Sequence, residues 1–199
     1  MSVTVDDQPL PAEQMGLQTF GQVLAHIQKD KRLIVHVLLD GEEPDLDQLG
    51  TLKAAPIKGH TIFIETTEPR KMALEVLDQV GEQLAEADRL TADAVRFLRE
   101  DQHLKAMEKL RGCFSTWQHA QESVIKVAQL LRIDLARILV DGRPFVAVLG
   151  EFAQQLKLIR SALENRDFVA LTDTLVYEVS ESSENWRAAI RSIRTVLGS

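Results

Sequence analysis

The chain has 199 residues, 45% hydrophobic and 27% charged, with a net charge of −7 and one cysteine. That length supports one or two compact domains, and a single thiol excludes an internal disulfide framework and a four-cysteine zinc site. The acidic balance argues against nucleic-acid binding, which needs clustered Lys and Arg, and no apolar run approaches the ~20 residues of a membrane span.

The N-terminus, M-S-V-T-V-D-D-Q, has neither the basic nor the apolar region of a signal peptide, so the expectation is a cytoplasmic protein with no membrane contact. Val3 to Val5 alternates as a short strand, and Asp6-Asp7-Gln8 marks a turn into a second. Phe20, Val23, Leu24 and Ile27 form one apolar helical face, with Thr19 placed as its N-cap. Leu33 to Leu39 reads as a strand closed by Asp40-Gly41, a strong turn dipeptide. A polar stretch with a short strand or turn follows, and His60 to Thr67 is the last strand.

From Pro69 onward the pattern changes to long helices. Five of the six prolines lie in residues 1–69, which also hold 5 Lys/Arg against 11 Asp/Glu. Proline is costly inside helices, so its near absence later in the chain permits long ones. Ala73, Leu77, Val80, Leu84, Ala87, Ala94 and Leu98 keep a 3-4 spacing that only Thr91 interrupts. A second seam runs through Met107, Leu110, Phe114, Trp117, Val124, Ala128 and Leu131. The connection Arg132 to Arg143 reads as a short apolar turn of helix around Leu135, Ile138 and Leu139. A third helix covers Pro144 to Glu164 through Val148, Phe152, Leu156, Ile159 and Leu163. Asp167 caps a fourth, which runs to Leu197. Leu84, Leu110, Phe114 and Trp117 are expected between helices.

The strand-strand-helix-strand order with V-T-V-D-D-Q-P-L, I-V-H-V-L-L-D-G-E-E-P, D-L-D-Q-L-G and G-H-T-I-F-I-E-T-T resembles the ubiquitin-like β-grasp fold. The expected class is therefore α+β: a β-grasp domain over residues 1–67, then an antiparallel bundle of about four long helices over 68–199. The last strand runs on into T-E-P-R-K, so the resemblance implies no conjugation. It does imply a docking surface on the open face of the sheet. With Val35, Val37 and Leu39 packed on the helix, His36 and Leu38 point away. In the last strand Ile62 and Ile64 point inward and Thr61, Phe63 and Glu65 outward. His36, Leu38 and Phe63 are thus candidate protein-binding residues, facing either a partner or the bundle. The segment A-L-E-N-R-D-F-V-A-L, Ala162 to Leu171, is similar to bacterial flagellar-type export chaperones.

No catalytic constellation emerges. Glu100 and His103 have the spacing of one Glu-x-x-His pair, but a di-iron bundle needs two. Counted from Asp45, an EF-hand loop would place Leu49 and Pro56 where oxygen ligands belong. Ser123 and Lys126 match S-x-x-K without the S-D-N and K-T-G partners. Cys113 reads as a small buried hydrophobe, and His119 as a half-buried helix residue. No catalytic, cofactor or metal site is expected. The polar run Tyr177 to Glu184 interrupts the last helical stripe. Read as structure alone, it is an exposed turn or a helix break; read functionally, it is a polar seam that receives a partner, with Tyr177 and Glu178 as candidates. The expected function is non-enzymatic: an adaptor or scaffold whose partner is another protein or a second copy of the chain. An export or assembly chaperone is the alternative, and an enzyme with an unrecognised site between the domains comes third.

Overall fold

The computed structural model describes residues 2–45 and 49–198. It is mixed α+β, 65% helical, with a small sheet at the N-terminal end and several long helices after it. The chain divides into two compact units, Met1–Met72 and Ala73–Ser199.

In the first unit, β1 (Ser2–Val5) turns through Asp6 and Asp7, both at positive φ (48° and 60°), into β2 (Gln8–Pro9). Two left-handed residues twist a hairpin in the sense its strands require, and Asp tolerates that conformation. β3 (Leu33–Leu39) and β4 (Thr61–Thr67) complete a sheet of order β2-β1-β4-β3. The central pair, β1 with β4, is parallel, and the outer pairs are antiparallel. Helix α1 (Phe20–Lys29) starts at a capping box: Thr19 accepts from the Gln22 N–H, and the Gln22 side chain accepts from the Thr19 N–H. The short α2 (Leu49–Ala54) lies so close that a Cβ on Gly21 would sit 2.8 Å from the Lys53 carbonyl oxygen. Phe20, Val23 and Ile27 of α1 close over Val3, Ile62 and Ile64 of the sheet. The expected segment Asp45 to Gly50 falls partly on residues 46–48, outside the described residues.

One strand phase differs from expectation. Val37 and Leu39 pack on the core, but so does Ile34, while Val35 is 45% exposed. A β-bulge between Ile34 and His36 inserts one residue into β3, and an inserted residue moves everything before it to the other face.

In the second unit, α3 (Pro69–Arg99) buries Ala73, Leu77, Val80, Leu84, Ala87, Thr91, Ala94 and Leu98. Thr91 belongs to the seam: its hydroxyl donates to the Ala87 carbonyl at 2.8 Å, and its oxygen lies 3.2 Å from Cys113 Sγ. α4 (His103–Leu131) buries Ala106, Leu110, Cys113, Trp117, Ala120, Val124 and Val127. The expected seam took the largest residues; Met107 and Phe114 are only half-buried, and the small residues one position earlier face inward. A Cβ on Gly112 would approach Leu90 Cδ1 at 3.3 Å, so this face of α4 already lies close to α3.

Residues 132–144 hold no turn of helix. Leu139–Val140 (β5) and Arg143–Pro144 (β6) form a hairpin over Asp141 and Gly142, both at positive φ. Period-2 alternation buries Ile138 and Val140 and leaves Leu139 54% exposed. In α5 (Phe145–Glu164) the buried positions are Phe145, Val148, Phe152, Ile159 and Ala162. The turn between Phe152 and Ile159 presents half-buried Gln155, not Leu156, which is exposed. The last helical run is continuous: α6 (Phe168–Asp173), a π segment (Thr174–Val179) and α7 (Ser180–Gly198). Asp167 caps α6 by accepting from the Ala170 N–H at 2.9 Å.

Candidate functional site

Two places combine exposure with chemistry. The first is the sheet face turned away from α1. Leu38 pairs with Phe63 across the β3–β4 ladder, and Phe63 pairs in turn with Thr4 on β1. This row of three crosses the sheet, and each of its side chains is half-buried. His36 stands opposite Glu65, and its Nε2 lies 2.9 Å from Glu43 Oε1. Val35, His36, Glu43 and Pro44 border a shallow cavity of about 280 Å³ beside β3. At the far end of β3, Asp40 sits at φ 54° and its carboxylate accepts from the Thr61 N–H at 2.7 Å and contacts His60 Nδ1 at 2.6 Å. The Thr61 bond, then the His60 bond, hold the Asp40 carboxyl below the usual aspartate range. The structure therefore sets His36, Leu38 and Phe63 on one face of one sheet.

The second place is a groove of about 570 Å³ between α3 and the π segment. Thr91, Val95, Leu175 and Val179 form its floor, and Arg96 and Arg99 stand at its rim. The π segment follows from the spacing of the apolar residues. Leu171, Leu175 and Val179 follow one another at intervals of four, and an α-helix of ~3.6 residues per turn would rotate such a stripe off the core. The wider π turn takes up the surplus and keeps all three buried. Beyond it, Ser182 and Ser183 are buried. The Ser182 hydroxyl donates to Gln155 Oε1 at 2.6 Å, so the polar run meets a polar partner in α5 instead of breaking the helix. Tyr177 is 71% exposed and Glu178 is half-buried; neither lines the groove. Asp88, on the groove wall, is bonded by Arg187, which also binds Glu184 at 2.9 Å.

The other chemical candidates disperse. Glu100 accepts from the Gln102 amide, and His103 stacks on Phe168 with ring centroids 3.9 Å apart. Ser123 and Lys126 sit within α4. Among the described residues, no group of three or more His, Cys, Asp or Glu is placed to hold a metal, and no helix is long and apolar enough to cross a membrane. Cys113 is fully buried, and that burial pushes its thiol pKa up. Since the thiolate is the reactive form, a native-state titration with a thiol reagent should run far slower than after denaturation. Equal rates in the two states would contradict this burial.

A family model described as a domain of unknown function, DUF8042, matches residues 75–189, more than half of the chain. The chain belongs to the DUF8042 family. No curated protein and no solved structure matches it. The DUF8042 segment runs from the first turns of α3 into α7 and contains the whole groove, the π segment and the Gln155–Ser182 pair. The sheet lies outside it. The groove carries no signal in the sequence; the π segment beside it does, in the 4-4 spacing of Leu171, Leu175 and Val179.

Proposed function

We propose that this DUF8042 protein is a non-enzymatic interaction protein, an adaptor or scaffold that docks a protein on the outer face of its N-terminal sheet. The reading takes the first unit as a β-grasp domain and the second as an antiparallel bundle of four long helical runs. The parallel central pair β1–β4, with α1 crossing one face, supports the first part. Short turns at Asp101 and at Asn165–Arg166 support the second. The observation that carries the docking site is the Leu38–Phe63 pair: two large apolar side chains, in register, on the face their own core does not use. Apolar clusters of this kind on a polar surface mark interaction sites. The partner is another protein or a second copy of the chain, and the mode needs neither nucleic acid, membrane nor cofactor.

The test is Phe63→Asp, with unfolding and association measured on the same preparation. A docking residue predicts a stability change within about 0.5 kcal/mol, the range of surface substitutions, and loss of association through that face, read in light scattering. A variant that unfolds, or that keeps every association of the wild type, contradicts the proposal.

The Ala162–Leu171 segment supports the second reading, an export or assembly chaperone. It forms the α5–α6 turn, with Arg166 at φ 55° and Asp167 as N-cap.

A further inference from the structure

We infer that the open edge of β3 is a self-association site: two copies of the chain pair antiparallel, β3 against β3, across Leu33–Val37. The inference concerns the edge of the sheet, not its outer face, and is independent of the docking reading above.

Hydrogen-bond phase shows what the edge presents. β3 ends the sheet, with β4 on one side only. In an antiparallel pair, residues that exchange both bonds with the facing strand alternate with residues whose N–H and C=O point the other way. Leu39 exchanges both of its bonds with Glu42, at 2.9 and 3.1 Å, where the chain folds back over Asp40 and Gly41. Leu39 therefore turns its backbone groups away from β4, and Val37, two residues earlier, does the same. Among the described residues, no turn or loop backbone group bonds Val37 on that side. The returning chain does not continue the pairing. Pro44, next in register, has no N–H to give, and Glu43 and Pro44 face Ile34–Val37 across a cavity of about 280 Å³. Unpaired N–H and C=O groups on an edge are a template for another strand. The Glu42 fold-back and the bulge before His36 keep that strand short. Val35, 45% exposed, lies at the middle of the open stretch, where a twofold axis would cover it with its own twin.

Charge selects a second copy as the occupant. The flanks of β3 carry opposite sign. Lys29, Lys31 and Arg32 stand at its start, with Asp30 the one acid among them. Asp40, Glu42, Glu43 and Asp45 stand at its end, with no base. Arg32 is paired with Asp6, Asp40 with His60 and Glu43 with His36, whereas Lys29, Lys31 and Glu42 have no ion pair among the described residues. An added strand must therefore be apolar in the middle, basic beside Asp40–Asp45 and acidic beside Lys29–Arg32. β3 read antiparallel is such a strand, and a twofold pair repeats the match at both ends. Parallel pairing would set like ends together.

Five residues a side make a small interface, of the weak class below ~1,200 Å², so the full chain is followed by sedimentation up to about 1 mM. A monomer–dimer equilibrium should appear, and hydrogen exchange of the Val37 amide should slow at least tenfold from the dilute to the concentrated sample. Lys29→Glu with Lys31→Glu, and separately Glu42→Lys with Glu43→Lys, should each weaken the dimer at least fivefold with an unchanged melting curve. An equimolar mixture of the two variants should restore it, because the reversed ends then face each other. A chain that stays monomeric to that concentration, a Val37 amide indifferent to concentration, or a mixture that associates no better than either variant alone overturns the inference. A dimer lost on Phe63→Asp but kept by both charge variants belongs to the outer face and overturns it as well.

Discussion

Trp186→Ala should lower the unfolding free energy by about 3–5 kcal/mol, the range for removing a fully enclosed aromatic side chain. Trp186 is 0% exposed and meets three rings: Trp117 at 5.4 Å, Phe145 at 5.2 Å and Phe152 at 6.5 Å, all near edge-to-face. Such pairs contribute ~0.5–1.5 kcal/mol beyond the area they bury, and the residue ties α4, α5 and α7 together at one level. Trp186→Phe separates packing from hydrogen bonding. The indole N–H has no acceptor among the described residues, so phenylalanine gives up volume but no hydrogen bond and should cost well under half as much as alanine. Chemical denaturation followed by helical circular dichroism measures both. A loss below about 1 kcal/mol for alanine would mean that the ring cluster is open to solvent.

The second large effect is expected at Asp6, in the first unit. Its carboxylate accepts from the Thr66 N–H at 2.7 Å, from the Thr66 hydroxyl at 2.6 Å and from Arg32 at 3.0 Å. Thr66 is buried, so Asp6→Ala leaves its backbone donor without a partner; that costs about 2 kcal/mol at neutral pH. The Arg32 pair adds little, being about one-third exposed on both sides. The hydrogen bond from the Thr66 hydroxyl is the leading cause of a lowered Asp6 pKa, with the Thr66 N–H and Arg32 acting in the same direction. A depressed carboxyl stabilises the fold above its unfolded pKa, near ~3.9, and loses that contribution as pH falls through the folded value. The gap between wild type and Asp6→Ala should therefore be full at pH 7 and close progressively below pH ~4. A gap that stays constant into acid would show that the carboxylate charge contributes nothing.

How much of this was legible in the sequence follows from period and size. The Thr19 cap, the two Asp-containing turns and the α3 seam were readable, because each depends on a local pattern. Along α4 the seam is legible at Leu110, Trp117, Val124 and Ala128, whereas choosing by size favours Met107 and Phe114, which sit at the flank of the inward-facing Ala106 and Cys113. In α5 the same bias chose Leu156 over Gln155, and only a tertiary partner, Ser182, makes a glutamine tenable there. A bulge is invisible to period-2 reading, which is why Val35 was placed on the wrong face. For the candidate site, the strand alternation put His36, Leu38 and Phe63 on one face. It could not show the π segment, because a π turn is defined by how a spacing anomaly is resolved against neighbouring helices.

A photo-crosslinking phenylalanine analogue at position 63 of the full chain, in the cell, reads out whether the outer sheet face docks a protein. A docking face should give a discrete covalent adduct with another protein or with a second copy of the chain, lost when Leu38→Glu is added. Light-induced products confined to the same chain, or adducts unaffected by Leu38→Glu, would contradict it.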